Sequence, residues 1–181
     1  MIHSLDGRRV KRNGPVVEVA LDDLVSRQQV ELVLRVTFPR DVVGATCGLT
    51  ARLTDRDGSL RVEPARVGWE YADHPKNDAQ RRDAGVDLAV AGRYAARARE
   101  DAAELNRGGE LEKARATLLA TARRIREYAG PDPQMLQLVH ELEQTADRHR
   151  ARFAAHELKG ERFAAYSRRE AKDIMGRRVR V

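Results

Sequence analysis

This 181-residue sequence has very few cysteines and aromatic residues, and both shortages restrict the classes of protein to which it can belong. Cys47 is the only cysteine, which excludes an intrachain disulfide framework and a cysteine-based zinc site. Aromatic residues make up 4% of the chain. No run approaches the roughly 20 apolar residues that span a bilayer, and no secretory signal is legible at the N-terminus. A lone thiol fits a reducing compartment, so we expect a soluble, cytoplasmic protein with no membrane partner.

The sequence also lacks the motifs of the familiar chemistries. It contains no Gly-x-Ser-x-Gly elbow, no phosphate-binding Gly-x-x-x-x-Gly-Lys-Ser/Thr loop and no Gly-x-Gly-x-x-Gly. His149 and His156 are seven residues apart, whereas zinc-binding pairs on a helix are typically four apart. Cys47 has no basic neighbour that would activate it, and is best interpreted as a small apolar residue. We therefore expect no catalytic residue, no metal and no cofactor, and hence no enzyme.

The two halves of the chain differ in the residues that favour strands and helices. Residues 1–74 contain twelve valines and five alanines, and residues 75–181 contain five valines and twenty-one alanines. Valine favours strands and alanine favours helices. We therefore predict an α+β protein in which an antiparallel β domain over residues 1–74 precedes an α-helical bundle over residues 75–181.

Alternation with a period of two predicts the strands of the first half. We expect strands over 17–21, 30–38, 47–53 and 60–71, and a weak hairpin over 2–10. Trp69 alternates with its neighbours toward one apolar face, so we interpret it as a core residue, with an interface anchor as the alternative. Four or five strands fall short of the roughly seven of a sandwich. The helices, another chain or an upstream segment would have to complete this partial sandwich.

Helical spacing and helix-ending residues predict four helices in the second half. We expect them over 83–106, 110–129, 133–156 and 161–175, and the short connections favour antiparallel neighbours. Asp132 and Pro133 are suited to the N-cap and first position of the third helix. The apolar positions at helical spacing predict the residues that face the core: Val86, Val90, Tyr94, Ala98, Ala102 and Leu105 on the first helix, and Leu136, Val139, Leu142, Ala146 and Phe153 on the third.

The net charge of +6 is concentrated at the C-terminal end. Residues 159–181 contain eight basic and three acidic residues, a net charge of +5, whereas residues 1–158 carry only +1. A solvated terminus, an acidic protein partner and a nucleic acid are all compatible with this tail. The candidate partner-binding residues are Arg168, Arg169, Lys172, Arg177, Arg178 and Arg180.

Several stretches follow one another in an order that resembles a known family. They are the run 17–24 before the strand 30–39, the hairpin 49–71, the alanine-rich pattern Leu105-x3-Gly109-x4-Ala114, the boundary Gly130-Pro131-Asp132-Pro133 and the end Tyr166-Ser167-Arg168-Arg169. This order resembles the C-terminal region of bacterial proteins that contain a von Willebrand factor type A domain. The resemblance implies a sandwich-like region and helices that accompany the A domain. The metal motif of that domain, Asp-x-Ser-x-Ser, does not occur in this chain, so its metal site does not carry over.

The resemblance and the predicted fold together suggest a scaffold-like role. We expect a non-catalytic protein-interaction or assembly module that docks on a protein partner, or on itself, through the exposed face of its sheet. The alternative is a nucleic-acid-associated protein that binds through the basic tail.

Overall fold

The computed structural model describes residues 1–21, 30–154, 156–157, 159–160 and 163. Within these residues the fold is mixed α+β: small antiparallel sheets in the N-terminal part are followed by four helices. This confirms the predicted fold class. The helix predicted over 161–175 lies outside the described residues.

The described strands are short and pair only two by two. They form three antiparallel sheets, in which the first strand pairs with the fourth, the second with the third, and the fifth with the sixth. The hairpin predicted over 2–10 is therefore wrong. The strand predicted over 30–38 shortens to three residues, because its partner is only three residues long. The strands are β1 (Ile2–Ser4), β2 (Val10–Asn13), β3 (Val16–Val19), β4 (Leu34–Val36), β5 (Thr46–Ala51) and β6 (Ala65–Glu70).

Two of the three long helices begin directly after an aspartate that caps them. The Asp83 carboxylate accepts a hydrogen bond from the Val86 amide, and the Asp132 carboxylate accepts two from the first turn of its helix. The third long helix ends at Arg148, earlier than predicted, and a five-residue helix after β6 was not predicted. The helices are α1 (His74–Asp78), α2 (Ala84–Arg107), α3 (Leu111–Ala129) and α4 (Pro133–Arg148).

The chain forms two compact units. One unit comprises Met1–Val36 together with Asp83–Val181, and the other comprises Thr37–Arg82. We call them the helical unit and the hairpin unit. The last strand ends at Glu70 and the first helix begins at His74, so the change from strands to helices falls where the composition changes. The division into domains at residue 74 stays a prediction.

The core of the helical unit lies between α2, α3 and α4. Leu118, Ile125 and Leu142 are its largest fully buried apolar side chains. The contribution of α2 is almost entirely alanine, since Ala91, Ala95, Ala98 and Ala102 are buried. Small side chains on α2 allow helix backbones to approach closely. The larger apolar side chains of α3 and α4 fill the remaining space and make the dispersion contacts of the core.

The face of α2 that packs inward differs in part from the predicted one. Val86 is 57% exposed and Tyr94 is 36% exposed, so the prediction that both face the core is wrong. Leu136 on α4 is also exposed, and Met135 is buried in its place. Alanine occurs all round α2, so its apolar spacing does not select one face. The close approach of α3 and α4 selects the face with the smallest side chains.

A buried ion pair links the N-terminal segment to α2 within the helical unit. The Asp6 carboxylate pairs with the Arg93 guanidinium, and both side chains are largely shielded from water. Asp6 Oδ2 also accepts a hydrogen bond from the Val33 amide at 2.8 Å. Arg93 donates a further bond to the Glu31 carbonyl at 2.9 Å. A buried charge requires such partners, so these contacts fix the position of the segment around β1 and β4.

A buried asparagine holds the chain segment that follows α4. Asn106 is fully buried near the end of α2. Its side-chain amide donates to the Ala151 carbonyl at 2.9 Å and accepts from the Phe153 amide at 2.8 Å. Phe153 also packs its ring on that of His149, with centroids 4.3 Å apart. This asparagine therefore has a structural role in the helical unit.

Candidate interaction surface

The β5–β6 hairpin has one apolar face and one polar face. Its register places Cys47 opposite Trp69 and Leu49 opposite Val67. Residues that lie directly opposite each other in an antiparallel pair project to the same side. The two Ala residues at the end of the ladder extend this apolar face. The opposite face carries the pairs Thr46–Glu70, Gly48–Gly68 and Thr50–Arg66.

Two aromatic contacts give the apolar face its shape. The Phe38 ring packs on the Trp69 ring, with a centroid distance of 4.8 Å and planes tilted by 50°. The Tyr71 hydroxyl donates to the Pro39 carbonyl at 2.7 Å. Both contacts join the segment before β5 to the strand β6 or its end. They hold the face in a defined shape even though little of it is shielded from water.

The Tyr71 phenol is perturbed by this environment. Partial removal from water raises its pKa above the ordinary value of 10.0, and the neighbouring Cys47 thiol raises it further. Both causes favour the neutral phenol. Tyr71 is therefore expected to remain protonated and to act as a donor to Pro39, rather than as a base.

No residue of the hairpin unit is buried. Every position from Thr37 to Arg82 is described, and every one is at least partly exposed to solvent. Val67 is 49% exposed and Trp69 is 37% exposed. An isolated two-stranded hairpin is at best marginally stable in water, and a stable sheet needs further strands or a covering layer. The hairpin therefore has apolar side chains available for contact and no core of its own.

Both long edges of the hairpin are free of other described strands. The Tyr71 amide donates to the Ala45 carbonyl at 2.8 Å, which places the odd-numbered residues in the hydrogen-bonded pairs of the ladder. Alternate residues of an antiparallel strand direct their backbone groups to the other side. The outward-facing backbone groups therefore belong to Thr46, Gly48 and Thr50 on β5, and to Arg66, Gly68 and Glu70 on β6.

The residues predicted as a site fall in different places. The candidate binding residues of the basic tail, Arg168, Arg169, Lys172, Arg177, Arg178 and Arg180, lie outside the described residues. The prediction that Trp69 packs in a core is wrong, because it lies exposed on the hairpin. Cys47 lies in β5 on the apolar face, half-buried beside Tyr71.

The arrangement of charges on the outer edge of β6 was not predicted from the sequence. Arg66 and Glu70 lie symmetrically on either side of Gly68. The sequence shows this pattern as Arg-x-Gly-x-Glu. The pattern indicates a pairing surface only when the strand is known to lie at an edge with no other described strand beside it. Phe38, assigned to the strand over 30–38, instead packs against the hairpin.

Among the described residues we find no group of three or more histidine, cysteine or acidic side chains arranged to hold a metal ion. Over the same part of the chain, the helices are all too short or too polar to cross a membrane. No protein-family model, no curated protein and no solved structure matches this chain. The resemblance to the accessory region of von Willebrand factor type A domain proteins therefore stays a prediction.

Proposed function

We propose that this chain is a non-catalytic protein-interaction and assembly module that docks on a second copy of itself through the β5–β6 hairpin. One observation carries the proposal: a hairpin with a continuous apolar face has no buried residue among Thr37–Arg82. Apolar side chains gain roughly 25 cal/mol for each Å² removed from water, so contact with another protein surface stabilises this face.

The charges of the hairpin unit favour a second copy as the occupant. Residues 37–82 contain eight basic and seven acidic residues, a net charge of +1. Two copies of a nearly neutral surface approach without strong repulsion, whereas a surface of one sign favours a partner of the opposite sign. Contact between two identical patches also gives the closed twofold symmetry that is commonest among soluble assemblies.

We expect this module to act in the cytoplasm. The lone cysteine fits the cytoplasm, and an accessory, non-enzymatic role agrees with the family that the chain resembles. Nucleic-acid binding through the basic tail is the alternative. It would weaken steeply with added salt, whereas docking through apolar side chains persists in high salt.

A pair of matched valine variants tests the proposal. Val67 on β6 is 49% exposed and Val86 on α2 is 57% exposed, so an aspartate replaces a similarly exposed valine in each case. The solution mass measured by sedimentation should fall to that of one chain for Val67→Asp and stay at the wild-type value for Val86→Asp. Circular dichroism should show the same helix content in both. A Val67→Asp variant with the wild-type assembled mass would overturn the proposal.

A further inference from the structure

We infer that the two copies pair edge to edge along β6, antiparallel and about a twofold axis that passes through Gly68. This inference rests on the proposed function, and it names the surface and the register. The result is a four-stranded antiparallel sheet in the order β5–β6–β6–β5. Three or more strands with an apolar face are the minimum for a stable sheet, so this pairing supplies what the isolated hairpin lacks.

The backbone hydrogen-bonding groups on the outer edge of β6 match this register. Arg66, Gly68 and Glu70 direct their N–H and C=O groups away from β5, because the odd-numbered residues are bonded within the hairpin. A twofold axis at Gly68 makes Gly68 its own partner and pairs Arg66 of each copy with Glu70 of the other. No other described strand pairs with the backbone groups of these three positions, so in this register each pair exchanges two hydrogen bonds across the interface.

The side chains distinguish this register from its neighbours. With the axis at Gly68, each Arg66 lies opposite a Glu70, and two ion pairs of opposite charge form. With the axis at Arg66 or at Glu70, identical charges would lie opposite each other. Directly opposed charges of like sign destabilise a strand pair and charges of opposite sign stabilise it. Charge complementarity therefore selects one register.

The apolar face is continuous across the same pair of strands. Val67 of each copy lies opposite Trp69 of the other, on the side away from the ion pairs. Aromatic and β-branched residues form favourable cross-strand pairs. Gly68 leaves the centre of the polar face without a side chain. Pro64 directly precedes β6. A proline does not donate a ladder hydrogen bond, so it limits how far the two strands overlap.

The outer edge of β5 lacks this complementarity. The residues with outward backbone groups there are Thr46, Gly48 and Thr50, which carry no charge. A twofold axis at Gly48 would pair threonine with threonine and would leave the charges of Arg66 and Glu70 without a counterpart. The β6 edge is therefore the self-complementary one.

Exchange of the two charges tests the pairing directly. Arg66→Glu and Glu70→Arg each place like charges opposite each other twice in the dimer, and should raise the dimer dissociation constant about tenfold. The double variant Arg66→Glu/Glu70→Arg restores opposite charges and should return to about the wild-type affinity. Both residues face threonines within the hairpin, so the exchange leaves the internal pairing intact. Arg56→Glu, in the loop between β5 and β6, is the matched control and should leave the affinity unchanged.

A cysteine placed on the proposed axis gives an independent measurement. Hydrogen-bonded residues opposite each other have Cα atoms about 5.5 Å apart, a distance that suits a disulfide. A Cβ at Gly68 meets only the Cys47 carbonyl oxygen at 3.9 Å, and one at Gly48 meets only the Val67 carbonyl oxygen at 3.4 Å. In a Cys47→Ala background, mild oxidation should therefore link Gly68→Cys chains into dimers and leave Gly48→Cys chains unlinked.

The outcomes separate the two proposals. Loss of affinity in the single variants with recovery in the double variant, together with selective cross-linking at Gly68, supports the β6 pairing. A dimer that is insensitive to all the charge variants, or that cross-links at Gly48 instead, would overturn the β6 pairing and leave the proposed assembly function standing. A wild-type chain that stays at the mass of one chain at every concentration would overturn both.

Discussion

Truncation of one buried leucine should show that the stability of the protein resides in its helical unit. Leu118 on α3 is fully buried between the three long helices. Leu118→Ala removes three carbon atoms, worth about 0.8 kcal/mol each when buried and therefore about 2.4 kcal/mol together. The cavity left behind adds to this loss, because the neighbouring helices relax only in part. We expect the free energy of unfolding to fall by about 3–4 kcal/mol.

The adjacent residue provides a matched control. Leu119 occupies the next position of the same helix but is 42% exposed. Leu119→Ala makes the same change in side chain and in helix propensity, without a buried cavity. Its free energy of unfolding should stay within about 0.5 kcal/mol of the wild-type value.

Urea unfolding followed by far-ultraviolet circular dichroism measures both values. The slope of the transition should be unchanged, since it reports the surface exposed on unfolding, and the midpoint should fall for Leu118→Ala alone. Equal destabilisation by the two variants, or a loss below about 1 kcal/mol for Leu118→Ala, would refute the packing described for α2, α3 and α4.

Three further predictions follow from particular contacts. Asp132→Ala removes the carboxylate that caps α4 and should lower the free energy of unfolding by about 1 kcal/mol in urea titrations, with Asp132→Asn close to wild type; equal losses in the two variants would contradict capping. Asp6→Ala leaves the shielded Arg93 guanidinium without its carboxylate partner and should lower the free energy of unfolding by about 3 kcal/mol. The double variant Asp6→Ala/Arg93→Ala should lose less free energy of unfolding than the two single variants lose together. Strictly additive losses would contradict the pairing. The raised pKa of Tyr71 means that its contribution to stability is complete below about pH 10 and is lost as the pH rises through the folded-state pKa. An absorbance titration of Tyr71→Phe should therefore lack one tyrosine transition above pH 10 that the wild type shows, and an unchanged titration above pH 10 would contradict this environment.

The helices are the part of the fold that the sequence predicts best. Asp83, the Gly108-Gly109 pair and the Gly130–Pro133 boundary mark ends that depend on local backbone chemistry, and the structure places the ends of α2 and α3 within a residue or two of them. Local signals suffice there because caps and glycine stops act over one turn. The inward face of α2 was not predictable, because alanine surrounds the helix and only the neighbouring helices decide which side is covered.

The strands are predicted from the sequence less completely than the helices. Alternation identified most of β5, all of β6 and their shared apolar face, because the register of a hairpin follows from its own sequence. The pairing of β1 with β4 brings together segments about thirty residues apart, and alternation carries no information about such partners. Alternation likewise does not indicate that the outer edge of β6 has no other described strand beside it. The charges of Arg66 and Glu70 are visible in the sequence, but their symmetry becomes meaningful only when no other described strand lies beside them.

The solution mass of the wild-type chain tests the central claim most directly. The claim is that the β5–β6 hairpin, which has no buried residue of its own, serves to assemble two copies of the chain. Light scattering coupled to size-exclusion chromatography at micromolar concentrations should give twice the 20.4 kDa of one chain, with a shift toward the single-chain mass on dilution. A mass of 20.4 kDa at every concentration tested would contradict the account.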